Sequence, residues 1–259
     1  MGCMNFISEY KFELNANSNF QIDMMCDSID FFKVILEFNW YHESNNKIYM
    51  LESSFFENVG RVDHAYAIAK ELIDLLNGYA QFTSHYNIIR PVVIKKCYIN
   101  DSVRNIDFKT IRPQNYILQV LGNGNDIKVE KSLLKKSLFH TLTHIAKHNT
   151  TVYCLMKFCS LPISWSSLHK IFETLKSAYV SDYAACPWSE EDAWELLVKP
   201  SNKYDILGLD AQQGYDGEYI GISFDESNNS VALMKARNWL MPLVNKYMTD
   251  ISQKFFEEQ

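Results

Sequence analysis

From Phe32 to Trp40 the chain keeps a strict two-residue rhythm: Phe32, Val34, Leu36, Phe38 and Trp40 alternate with Lys33, Ile35, Glu37 and Asn39. Only an extended strand puts those five apolar side chains on one face, so this stretch must be the half-buried strand of a sheet. From Val62 the period changes. Val62, Ala65, Ile68, Ala69, Leu72, Ile73, Leu75 and Leu76 recur every three or four residues, as on one face of an amphipathic helix, and the pattern fades at Asn77-Gly78. A sheet with one apolar face needs a cover, and this helix is the nearest candidate. The change of period therefore commits the first half of the chain to an α+β arrangement.

The neighbouring segments extend that sheet. Glu9 to Leu14 and Phe20 to Met25 read as short strands around the turn-prone Asn15-Ala16-Asn17-Ser18-Asn19, which suggests a hairpin. Glu43 to Asn46 supply another turn, and Lys47 to Leu51 can return antiparallel to the Phe32 strand. Ile88 to Ile99 and Asn115 to Leu121 are further strand-like runs, with Pro91 making the former an edge strand or delaying its start. Gly122-Asn123-Gly124-Asn125 is the natural linker, so residues 1–124 are read as a mostly antiparallel sheet domain with a covering helix.

Residues 125–259 read as a helical bundle. Val129 to Asn149 forms a long helix and Val152 to Cys159 a shorter one. The best-marked helix start follows. Pro162 stops the preceding segment, Ser164 is placed to cap free amides, and Ile163 and Leu168 occupy the two positions of a hydrophobic staple. Trp165, Leu168, Ile171, Phe172 and Leu175 then recur at helical spacing, which makes this helix buried. Ser189 opens another helix through Leu197, with Asp192 completing a capping box and Pro200 as its stop. Asn229 to Lys254 forms the last helix, with Leu233, Ala236, Leu240, Leu243, Val244 and Met248 inward and Pro242 expected to bend or divide it.

With 47% hydrophobic residues among 259, the chain can bury its cores without metal or disulfide support. A net charge of −6 excludes a uniformly basic coat for nucleic acid or lipid. The charge is nevertheless polarised within the helical half. Lys and Arg against Asp and Glu give 8 − 3 = +5 over residues 126–176 and 6 − 14 = −8 over residues 177–259. The six cysteines form no CxxC pair or zinc spacing, which suits a reduced, cytoplasmic protein. No run of about 18 apolar residues suggests a membrane span, and no signal peptide is evident.

One constellation stands out. His140, His144 and His148 recur every four residues, with Lys136 a turn earlier and Lys147 beside the last, forming a ridge that could face nucleic acid. The first and third histidines lie about 12 Å apart along a helix, so the three cannot share one ion, and no HExxH glutamate supports a two-His zinc site. Asp205, Asp210, Asp216, Glu218, Asp225 and Glu226 crowd one loop without the register of a calcium site, leaving a solvated acidic loop as the simpler reading. Cys154 and Cys159 lack an activating neighbour, and Trp165, Trp188, Trp194 and Trp239 occupy positions expected to be core. No cofactor motif and no metal site is expected.

Three segments carry a family likeness: SWSSLHKIFETLK at Ser164 to Lys176, DAQQGYDGE at Asp210 to Glu218, and VALMKARNWLMPLVNKY from Val231 to Tyr247. Together they resemble bacterial and phage-borne proteins whose C-terminal helical domains are of the HEPN superfamily type. That resemblance implies a helical bundle that often dimerises, a link to phage defence or a mobile element, and RNA or a nucleotide as partner. Many HEPN domains are metal-independent ribonucleases that use an Arg and a His a few residues apart. Here Gln212-Gln213 stands where the resemblance leads one to expect Arg-His, and glutamine can neither titrate nor carry charge. The expectation is thus a non-catalytic or degenerate HEPN-like interaction module, taking RNA, a nucleotide or a protein partner through residues such as Lys136, His140, His144, Lys147, His148, Gln212 and Gln213. The alternative is a ribonuclease that uses the His140 to His148 ridge, His144 foremost, with Arg237.

Overall fold

Five strands pair antiparallel in the order β2-β3-β1-β4-β5. They are β1 (Tyr10–Asn15), β2 (Lys33–Phe38), β3 (Lys47–Glu52), β4 (Val93–Ile99) and β5 (Ser102–Arg104). The computed structural model describes residues 9–15, 31–38, 47–57, 59–84, 90–100, 102–104, 134, 137–202 and 226–257. The chain is α+β, an antiparallel sheet followed by a mostly helical second part. It divides into two compact units, one of residues 1–77 and 89–149, the other of 78–88 and 150–259. The linker read at Gly122-Asn123-Gly124-Asn125 lies outside the described residues, and the chain passes from one unit to the other within a helix after Asn77 and again after Asn149.

In the sheet unit, the alternation read at Phe32 to Trp40 appears as β2, and Lys47 to Leu51 returns beside it as β3, with Val34 opposite Leu51. β1 has β3 on one edge and β4 on the other, and the second strand of the expected hairpin, residues 20–25, is not among the described residues. Residues 115–121 also lie outside the described set. β4 begins at Val93, two residues after Pro91, and β5 follows through a turn in which Asn100 takes φ 48°, a left-handed conformation Asn tolerates. Tyr10, Phe12 and Leu14 are buried on one face of β1, where Phe12 meets Phe56 and Tyr66. On the other face a bulge leaves Lys95 as the extra residue of β4, so both Lys95 and Lys96 reach Glu13, at 2.9 and 3.3 Å. Tyr98 donates to the same carboxylate at 2.9 Å.

The helix expected to fade at Asn77-Gly78 instead runs as α1 from Val62 to Thr83. Neither residue ends it. Asn77 spends both ends of its amide on Val92, donating to the carbonyl at 2.9 Å and accepting from the N–H at 2.8 Å. Gly78, in the helical unit, lets α1 approach α3 (Thr150–Cys159) so closely that a Cβ there would lie 1.8 Å from the Met156 carbonyl oxygen. Both residues were legible as turn chemistry and serve tertiary packing.

The long helix read over Val129 to Asn149 is, among the described residues, α2 (Leu138–Ala146), opened by Ser137 in an extended conformation with φ −143°. In the helical unit α4 (Trp165–Tyr183) is the hub, packing against α3 and α7 (Glu226–Glu257). Its start is a full capping box. Ser164 Oγ accepts from Ser167 N at 3.1 Å, and Ser167 Oγ accepts from Ser164 N at 2.9 Å. All five residues of its expected apolar stripe are buried. α7 stays one helix through Pro242, whose exposed position keeps the missing N–H on the solvent side. Ala236, Leu240, Val244 and Met248 are buried as expected, and Leu233 and Leu243 half-buried.

Ser189 caps α5 (Glu190–Ala193) by accepting from Asp192 N at 3.0 Å. Pro200 does not stop this helix. A π turn (Trp194–Val198) follows directly and leads into α6 (Lys199–Asn202). Lys199 N–H donates to the Trp194 carbonyl five residues back, and this wider turn makes room for the Pro200 ring where an α-turn would bring a clash. Among the described residues, no helix is long and apolar enough to cross a membrane.

Candidate functional site

The histidine ridge divides by depth. His140, at the start of α2, has no exposed surface and sits among Phe31, Phe32 and Phe139, with ring centroids 6.1, 6.3 and 5.6 Å away. Phe32 and Phe139 themselves meet edge-on at 5.0 Å. The apolar wall of the sheet unit therefore closes around this imidazole, because Phe139 and Phe32 bring it with them into the core. His144 is half-buried, and His148, just past the helix end, is exposed, their rings 6.5 Å apart. Lys147 caps α2 and lies over the rings of Phe31 and Phe55, at 5.6 and 5.3 Å from their centroids. Its charge is engaged with protein aromatics rather than projected outward. Lys136, Gln212 and Gln213 lie outside the described residues.

Arg237 belongs to the other unit. It is 1% exposed and holds the last turn of α1, where its Nη2 donates to the Gln81 carbonyl and the Gln81 side-chain oxygen, both at 3.3 Å, and to Ser84 Oγ at 3.5 Å. Nη1 donates to Asn238 Oδ1 at 3.2 Å. An arginine at the carboxyl end of a helix meets carbonyl groups that intrahelical bonding leaves over. Burial pulls its pKa below the usual arginine value while Cys159 acts the other way, and it stays protonated. Beside it is a cavity of about 10 Å³, lined by Gln81, Cys159, Ser167, Met241 and neighbouring apolar residues. That is room for one water and far too little for a phosphate.

Other chemistry is equally absorbed by packing. Burial pushes the Cys159 thiol up to about 12 and the Cys97 thiol up to about 11, so neither is a thiolate near neutral pH. Burial also raises Cys154 and Cys186. Among the described residues, no group of three His, Cys, Asp or Glu side chains is placed to hold a metal. Trp165 is buried, its indole donating to Asn229 at 2.7 Å, and Trp188 and Trp239 join Phe172 in one aromatic cluster with centroids 5.7 to 6.2 Å apart.

Trp194 departs from the core position expected of it and is 51% exposed. Ala193, Leu197 and Ser201, each four residues from the next, form one buried line, and Trp194, one residue on from Ala193, lies outside it. The sequence signal was this four-residue spacing, which sets Ala193 and Leu197 on a different face from Trp194. Carboxylates surround the position in sequence: Glu190, Glu191, Asp192 and Glu195 are all exposed. Set against known proteins, the chain matches no family, no curated protein and no solved structure.

Proposed function

We propose that this chain is a non-catalytic, HEPN-like interaction module that works by docking a protein partner. One observation carries the reading: Arg237, the cation that the ribonuclease alternative pairs with the histidine ridge, is 1% exposed and held in the packing of its own unit, and His140 at the head of that ridge is 0% exposed. Charge stabilisation requires hydrogen-bond reach to the substrate, which Arg237 does not offer, so a proton moved by His144 or His148 would lack its cationic partner. Lys147 Nζ lies over Phe31 and Phe55, so reaching out to an RNA phosphate would cost it those ring contacts. The homodimer and the link to phage defence or a mobile element rest on the family resemblance alone. Sedimentation of the pure chain checks the first of these.

The test is incubation with total RNA in chelator, comparing wild type with His144→Ala and Arg237→Lys. No cleavage by any of the three is expected. Cleavage by wild type that disappears in His144→Ala would restore the ribonuclease reading. RNA retention that falls with salt and is lost in His148→Ala would instead make RNA the partner.

A further inference from the structure

The exposed indole on the π turn is a different kind of observation from the solvated carboxylates around it. A half-exposed tryptophan leaves a large apolar, electron-rich face in water, and tryptophan is the residue most favoured where partners anchor. Glu190 and Glu191 precede Trp194 by four and three residues on a continuous helical run, which places them on its side of the helix. Glu190 has a side chain 92% exposed, with Lys176 only at 3.8 Å. Glu195, the next residue, already holds one cation, Lys199, at 2.7 Å. Residues 177–259 as a whole carry 6 − 14 = −8.

Resting on the interaction reading above, we propose that Trp194, with Glu190 and Glu191, forms the docking surface for a lysine- or arginine-bearing segment of a protein partner. Charge complementarity selects that occupant. A cation can lie over the indole face while its N–H groups meet the flanking carboxylates, so each group gains from the same guest. An apolar partner would have to strip water from several carboxylates without repaying them. An RNA strand would meet a field of its own sign. A second copy of this chain, at −6 overall, could meet the surface only through its +5 segment of residues 126–176, and self-association of the pure chain that is lost in Trp194→Ala would overturn the assignment to a separate partner.

The test uses the full chain and a fluorescein-labelled peptide alternating arginine and serine, followed by anisotropy at low salt. Three variants are compared: Trp194→Ala, Glu190→Gln/Glu191→Gln, and the control Glu173→Gln/Glu257→Gln, which removes the same charge from exposed positions elsewhere. Loss of an exposed cation–π contact is expected to weaken binding about threefold to fivefold in Trp194→Ala, with a similar loss in the Glu190/Glu191 variant and little change in the control. Equal weakening in the control, or wild-type affinity in Trp194→Ala, overturns the proposal, as does a uridine oligonucleotide that binds the same surface. Unchanged circular dichroism shows that the variants fold. RNA cleavage measured on the same preparations reports separately on the non-catalytic reading, so the two cannot fail unnoticed together.

Discussion

Gly78→Ala isolates the closest approach in the helical unit. A Cβ added at this position would lie 1.8 Å from the Met156 carbonyl oxygen and 2.7 Å from its carbon, where ordinary contact begins at 3.4 Å. The obstacle is backbone, so α1 and α3 must separate by 3.4 − 1.8 = 1.6 Å rather than let a side chain swing away. Replacing glycine by alanine inside a helix otherwise favours the helix by about 1 kcal/mol. Overpacking of a filled interface costs roughly 1–3 kcal/mol, and more where two backbones collide, so a net loss of about 2 kcal/mol is expected. For a chain of this size that lowers Tm by roughly 4–8 °C. Tryptophan fluorescence during thermal and urea unfolding is a suitable readout, since Trp165, Trp188, Trp194 and Trp239 all lie in the helical unit. A variant as stable as wild type, or more so, would mean that Gly78 is an ordinary exposed helix residue and that the contact with α3 does not exist.

Other perturbations follow from the same geometry. Asn77→Ala removes both hydrogen bonds to a buried backbone and is expected to cost roughly 2–4 kcal/mol in urea unfolding, whereas a loss under about 0.5 kcal/mol would deny the clamp on Val92. Ala184 ends α4 with φ 61°, so Ala184→Gly should raise stability by roughly 0.5–1 kcal/mol, and a loss would argue against the left-handed cap. Glu13 titrates below the usual carboxylate range: burial alone would raise its pKa, but hydrogen bonds from Lys95 and Tyr98 and the charges of Lys95 and Lys96 outweigh it. A depressed folded-state pKa gives stability that is complete above the unfolded value and lost as pH falls through the folded one. Glu13→Gln should therefore be less stable than wild type at neutral pH, with the gap closing in acid. A gap that widens on acidification would reverse the sign of that reasoning.

How far the sequence foretold this fold depends on the range of each signal. The Phe32 strand, the Ser164 cap and the Ser189 cap are local: period, hydroxyl and following amides are all within a few residues, and each appears where it was read. Asn77-Gly78 misled because the two residues are identical in kind to a helix end, while their partners, Val92 and Met156, are distant in the chain. Pro200 misled for a related reason, since a π turn lets a helix absorb the ring without stopping. The candidate site suffered most. Four-residue spacing correctly puts three histidines near one helix, but it cannot say that Phe31 and Phe32 would close over the first of them. Nor does the isolated Arg237 announce that its guanidinium binds the end of α1. Exposure is a property of the whole packing, and only for Trp194 did local spacing, with Ala193 and Leu197 on another face, bear on it.

The commitment of the phosphate-type residues to packing is open to direct chemical mapping. Native protein is treated briefly with diethyl pyrocarbonate, digested and analysed by mass spectrometry, with a denatured sample to show that every histidine can react. Exposed His148 is expected to be carbethoxylated while His140, with no exposed surface, remains unmodified until the sheet unit unfolds. Modification of His140 at the rate of His148 in the native state would contradict this and put an open imidazole where the structure has a sealed one.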